Sequence, residues 1–108
     1  MINTAGELVA PPTVERALRS LDVVSDALVV GLPDERWGQI VAALIVPSPE
    51  GRVQASSMNA AALSEALSET LAPWEKVRRI VVVDELPTTP TGKPYPLAAA
   101  EILMASRH

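Results

Sequence analysis

The residues of this sequence best suited to chemistry sit together in Pro87-Thr88-Thr89-Pro90-Thr91-Gly92-Lys93-Pro94, where three hydroxyls, a glycine and a cation are fenced by prolines. Lysine carries a mobile point charge on a long stem, useful where carboxylate or phosphate charge must be neutralised briefly, and glycine lets backbone approach a ligand. Anion handling is the chemistry this suggests. On spacing alone, a solvated turn with an ordinary surface lysine explains the stretch better. Other kinds of site are excluded by what the sequence lacks. With no cysteine there is no disulfide framework, no thiolate nucleophile and none of the usual zinc sites, and no metal-ligating residues are predicted. The sole histidine is His108, the final residue, which argues against a Ser/His/Asp triad. Gly92-Lys93 is not a Walker P-loop either, since Pro87 stands where its first glycine belongs and Pro94 where Ser or Thr should follow.

The elements that must position such a loop are modest in scale. A chain of 108 residues, 48% hydrophobic and 20% charged, fits one globular domain over 1–108 with a single core. A net charge of −4 argues against a nucleic-acid surface, and the basic residues are scattered apart from Lys76, Arg78 and Arg79. The longest apolar runs, 27–30 and 40–46, are too short to span a bilayer, and the N-terminus lacks the features of a signal peptide. A soluble, cytoplasmic protein without a membrane span is expected.

Pro11 and Pro12 lead into Val14, Ala17, Leu18 and Leu21, the i, i+3, i+4, i+7 pattern of an amphipathic helix. Residues 23–30 and 39–46 are apolar and β-prone, joined by a polar connection at 32–38. Residues 47–57, rich in Pro, Gly and Ser, read as a surface loop and as the candidate for the most mobile stretch. A helix over 59–71 with a stripe of Leu63, Leu67 and Leu71 follows, stopped by Pro73. Residues 79–83 read as a third strand and 96–104 as a final helix, built largely of Ala and Leu. The predicted class is α+β: a small, mostly antiparallel sheet of about three strands covered by helices, with room for a short N-terminal hairpin at Gly6.

The Pro87 to Lys93 pattern is similar to the last core motif of the adenylate-forming superfamily, which includes acyl-CoA synthetases, luciferases and peptide-synthetase adenylation domains; its usual form is Pro-x-Thr-x-x-Gly-Lys. Further stations resemble the same family in the right order: Val24-Ser25-Asp26-Ala27-Leu28-Val29-Val30-Gly31-Leu32-Pro33-Asp34-Glu35-Arg36-Trp37-Gly38, then Leu71-Ala72-Pro73-Trp74, then Val83-Asp84-Glu85-Leu86-Pro87. Met1-Ile2-Asn3-Thr4-Ala5-Gly6-Glu7 resembles the loop after the interdomain hinge, commonly Met-Ile-x-x-Gly-Gly-Glu, with Ala5 in place of the first Gly. The absence of a Lys-x-Arg-Gly-x-Arg-type loop there favours the acyl-CoA ligase branch over peptide synthetases. Two departures stand out: Pro94-Tyr95-Pro96 where the family continues with an aliphatic pair and basic residues, and Glu75 where many relatives have Lys.

The resemblance implies a mobile C-terminal lid of an enzyme that converts ATP, a carboxylic acid and CoA into acyl-CoA, AMP and pyrophosphate. It implies Lys93 as the catalytic residue, Thr91 and Gly92 as substrate- or nucleotide-positioning residues, and Ala5 and Gly6 as the loop lining the CoA tunnel. ATP and CoA are substrates in this picture, and Mg2+ is held mainly through a large N-terminal adenylation domain, the expected partner, which this chain lacks. The chain alone is expected to be inactive, a fragment beginning at or just beyond the hinge. Outside the resemblance, Gly6 fits a simple hairpin turn, and Trp37 and Trp74 fit packing better than adenine stacking. A stand-alone, non-catalytic ligand-binding module, or an oligomerisation module pairing its apolar strands between subunits, is the alternative.

Overall fold

The computed structural model describes residues 1–53 and 58–105. Strand β1 (Ile2–Thr4) and strand β2 (Glu7–Val9) form an N-terminal hairpin, and helix α1 (Pro11–Arg19) follows. Two prolines fit the first turn of α1 because the N–H groups they lack would have no partner inside the helix. Val14, Ala17 and Leu18 form its buried stripe, as their spacing predicts.

Strands β3 (Val24–Asp34) and β4 (Gly38–Pro47) pair antiparallel along their length. The connection expected at 32–38 is therefore shorter than its composition suggests, because β3 continues through Pro33 to Asp34. Only β4 pairs with β3 among the described residues, so the proline lies in an edge strand, where its missing N–H breaks no ladder. The Asp34 carboxylate then closes the turn by accepting the N–H groups of Arg36 at 2.8 Å and Trp37 at 2.9 Å.

The expected loop after β4 begins instead with a short helix, α2 (Pro49–Val53); the rest of the stretch singled out for mobility, 54–57, lies outside the described residues. Helix α3 (Ala60–Ala66) is shorter than predicted, capped by the Asn59 side chain accepting Ala62 N–H at 2.8 Å. Beyond it, turn hydrogen bonds such as Leu71 N–H to Leu67 O at 2.9 Å carry the chain onward, so Leu63, Leu67 and Leu71 all still reach the core. After a 3-10 turn at Pro73–Glu75 comes strand β5 (Val77–Val82), and finally helix α4 (Pro96–Ala105).

The class is α+β, as predicted, with four helices and a mixed sheet of five strands among the described residues. Strand β4 lies at its centre. It pairs antiparallel with β3 and, at Thr4 and Gly38, with β1, while β5 runs parallel to it from Val41 to Ile45. The two apolar runs of the sequence thus pair with one another inside one chain. Their side chains alternate between two cores: Val29, Val41, Ala43 and Ile45 join α1 and α3, whereas Leu28, Val30, Leu32, Ile40, Ala42 and Leu44 join Ala99 and Leu103 of α4. The loop of interest is what connects β5 at the sheet to α4 on one of its faces.

Candidate functional site

Residues 87–95 form a small closed hairpin. Thr88 and Pro94 are bridged antiparallel, and Tyr95 donates its N–H to Pro87 O at 3.0 Å. Inside this frame Thr89 N–H donates to Lys93 O at 2.8 Å and Gly92 N–H to Thr89 O at 2.8 Å. Pro90, Thr91 and Gly92 thus make a three-residue loop, and Gly92 takes the left-handed conformation, φ +85°, that such loops assign to their last residue. Any Cβ there would be strained although it would meet no atom within 4 Å, so the glycine is needed for its backbone rather than for space.

Side chains complete the loop. Thr89 Oγ1 and Thr91 Oγ1 lie 3.0 Å apart and share a hydrogen bond, and Thr89 Oγ1 also accepts Lys93 N–H at 3.3 Å. Thr91, Gly92 and Lys93 are exposed, and among the described residues Lys93 enters no ion pair. The three residues singled out for this site are therefore brought together, and the cation stands in solvent on a backbone tied down behind it. The two unexpected prolines are accommodated: Pro94 sits in the bridge without having to donate, and Pro96 is the first residue of α4, where Tyr95 O accepts Ala99 N–H at 3.2 Å.

Ala5 and Gly6 form a second, separate feature. They are the two residues between Thr4 and Glu7, with φ of +52° and +86°, the pattern of a type I′ turn between paired strands. Asn3 Oδ1 accepts Gly6 N–H at 3.1 Å, and Ala5 N–H donates to Trp37 O at 2.7 Å, which docks the tip on the β3–β4 turn. This tip belongs to the N-terminal hairpin, whereas Lys93 belongs to the segment leading into α4.

Neither tryptophan lies in the Lys93 loop. Arg78 of β5 lies over the Trp37 ring, 4.5 Å from its centroid, so a guanidinium already covers that face. Trp37 thereby joins the N-terminal tip, the β3–β4 turn and β5. Trp74 is half exposed in the 3-10 turn, where Glu75 Oε1 accepts Ala72 N–H at 2.8 Å. That bond gives the departure at Glu75 a local structural use. Thr89 is the residue on which the fixed Thr of the Pro-x-Thr-x-x-Gly-Lys pattern falls, a signal that the choice of Thr91 as the positioning hydroxyl did not use.

A family model described as the AMP-binding enzyme C-terminal domain matches residues 13–93, ending on Lys93 itself. The chain belongs to that family. Members similar to this AMP-binding C-terminal domain include a medium/long-chain-fatty-acid–CoA/3-oxocholest-4-en-26-oate–CoA ligase of Mycobacterium marinum, 41% identical over 93 residues that make up 86% of this chain and 16% of the ligase. A 4-chlorobenzoate–CoA ligase of a Pseudomonas species is 38% identical over 93 residues, 86% of this chain and 17% of the ligase. Among solved structures, a Mycobacterium tuberculosis fatty acyl CoA synthetase superposes with a TM-score of 0.82 at 29% identity, over 98% of this chain and 20% of that one. The acyl-CoA ligase branch of the adenylate-forming superfamily is thus established for this domain, which spans only a small part of the length of the proteins it matches.

In this AMP-binding C-terminal domain, Ala5 carries a Cβ in a backbone region that favours glycine. The left-handed conformation costs a non-glycine residue about 1–2 kcal/mol, part of which glycine gives back through its freer unfolded chain. Ala5→Gly should therefore raise the unfolding free energy by about 0.5–1 kcal/mol, read as a rise in the denaturation midpoint at an unchanged slope.

Proposed function

We propose that the chain is one C-terminal domain that works with a large N-terminal adenylation domain in an ATP-dependent acid–thiol ligase. In the first half-reaction a carboxylate oxygen attacks the α-phosphorus of ATP, the bond to the β-phosphate oxygen breaks, and acyl-AMP and pyrophosphate form. In the second, the CoA thiol, giving up its proton, attacks the acyl carbon and AMP leaves. The overall substrates are ATP, CoA and a carboxylic acid. The domain itself serves by presenting one loop to each step.

Lys93 is assigned to the adenylation step. Two anions must meet there, and a fixed cation beside the carboxylate and the α-phosphate or ribose oxygens offsets the charge that accumulates in the transition state. Thr91 and Gly92 shape the loop's approach to the nucleotide. The observation that carries the reading is the arrangement at residues 87–95, a cation that is exposed and without an ion pair among the described residues, on a backbone fixed by hydrogen bonds within its own hairpin. Such a group is poised for a partner surface and has little to do in the isolated chain. Tyr95 and Leu97, which follow Lys93 closely in the chain, add exposed apolar side chains of the kind a partner domain could cover.

The Ala5–Gly6 tip is assigned to the CoA step, lining the tunnel along which the thiol approaches. It is a different loop, carried by a different hairpin, from the one that bears Lys93. A change of orientation between the half-reactions lets each be presented in turn and orders the chemistry. Among the described residues no three His, Asp or Glu side chains gather to hold a metal, and in this reading Mg2+ is held by the N-terminal domain. No helix among the described residues is long and apolar enough to cross a membrane.

In the ligase with both domains, Lys93→Ala should slow acyl-AMP formation by at least about 100-fold, while thioester formation from supplied acyl-AMP stays within a few-fold. Equal loss of both half-reactions would refute the assignment. In the same paired assays, Gly6→Asn, which adds bulk yet tolerates the left-handed backbone, should slow the CoA step more than adenylation. An unchanged CoA step would return Gly6 to a purely structural turn.

A further inference from the structure

The backbone of Lys93 is held chiefly by one residue. Thr89 donates its N–H to Lys93 O at 2.8 Å, accepts Gly92 N–H on its carbonyl at 2.8 Å, and accepts Lys93 N–H on Oγ1 at 3.3 Å. The same Oγ1 shares a hydrogen bond with Thr91 Oγ1 at 3.0 Å. Thr89 is half-buried, whereas residues 90–97 are all exposed. A loop that projects into solvent has no packing to hold it, so its geometry depends on hydrogen bonds it makes with itself. The neighbouring Thr88 takes part through its backbone bridge to Pro94, and its hydroxyl makes no hydrogen bond among the described residues.

We propose that Thr89 is a positioning residue for the adenylation half-reaction, its hydroxyl fixing the backbone from which Lys93 Nζ reaches the reacting oxygens; the inference rests on the role given to Lys93 above. The hydroxyl, rather than the branched shape, is what the loop requires. Its oxygen has two lone pairs and one proton, enough to accept Lys93 N–H while donating to or accepting from Thr91. With it, only the side-chain torsions of Lys93 remain to be settled when substrate arrives. Without it, Lys93 N–H turns to water at little cost to the fold, because the site is exposed, but the lysine starts from a wider range of positions. Misplacement of a charge by a fraction of an ångström to one ångström is costly to a transition state that depends on alignment.

The test uses the two-domain ligase and separates shape from hydroxyl. Thr89→Val keeps the branched side chain and removes the oxygen; Thr89→Ser keeps the oxygen. Valine should lower kcat for acyl-AMP formation by about tenfold, equivalent to about 1.4 kcal/mol of activation free energy, with KM values for ATP and acid changed by less than about threefold. Serine should restore the rate to within about twofold of the parent, and thioester formation from supplied acyl-AMP should stay within about twofold in both variants. A valine variant that forms acyl-AMP at the parent rate overturns the inference, as does equal slowing of both half-reactions or a serine variant as slow as valine. Lys93→Ala, run alongside, keeps the two levels apart. If it forms acyl-AMP normally, the role of Lys93 itself falls; if it is inactive while Thr89→Val is not, only the positioning role falls.

Discussion

The constraint on which the rest of the structure depends is that β4 is buried on both faces. Six consecutive residues from Ile40 to Ile45 are almost wholly removed from water, and each large aliphatic side chain among them contributes about 1.5–3 kcal/mol by its burial. A strand so enclosed has no water to satisfy its backbone, so both of its edges need hydrogen-bonding partners. Strand β3 occupies one edge along the full ladder. The other is shared between β1, at Gly38, and β5, from Val41 to Ile45. Because β5 is parallel to β4, the chain between them must cross over the sheet, and α3 on that path covers one of its faces. The opposite face is left for α4, and the hairpin bearing Lys93 is the link that brings the chain from β5 to that helix.

The two candidate loops are therefore attached to the same rigid sheet in different ways. The Ala5–Gly6 tip is docked on the β3–β4 turn through Trp37 O, and Trp37 in turn lies under Arg78 of β5. The Lys93 hairpin is tied to itself, from the Pro87–Tyr95 bond at its base to the Thr89–Lys93 pair near its tip. A rigid body that carries two such loops can offer one and withdraw the other by turning as a whole, without refolding either. In the proposed function this would let one domain serve two half-reactions with two loops.

Much of the fold was legible because local pattern and tertiary role agree. The spacing of Val14, Ala17 and Leu18, the leucines at 63, 67 and 71, and the β-branched runs each matched the buried faces they form. What escaped the reading depended on partners distant in sequence. By composition Pro33 belongs to the connection at 32–38, and only the edge position of β3 allows that strand to continue through it. The parallel pairing of β5 left no local mark. At the site, residue types and order single out the Lys93 loop and the Ala5–Gly6 tip as candidates. The motif's fixed Thr falls on Thr89, but what its hydroxyl does is visible only in the closed hairpin, where it meets Lys93 N–H and Thr91 Oγ1. The prolines at 94 and 96 looked disruptive as a string and are benign in three dimensions, one in a bridge and the other opening a helix.

The central claim, that a hydrogen-bonded hairpin holds Lys93 for the adenylation step, is tested most directly by a crystal structure of the two-domain ligase bound to an unreactive acyl-adenylate analogue. The account predicts Lys93 Nζ at about 2.7–3.2 Å from a carbonyl, phosphate or ribose oxygen of the analogue, with the Thr89–Lys93 hydrogen bonds intact. Lys93 turned to solvent in that complex, with another cation beside the same oxygens, would contradict it.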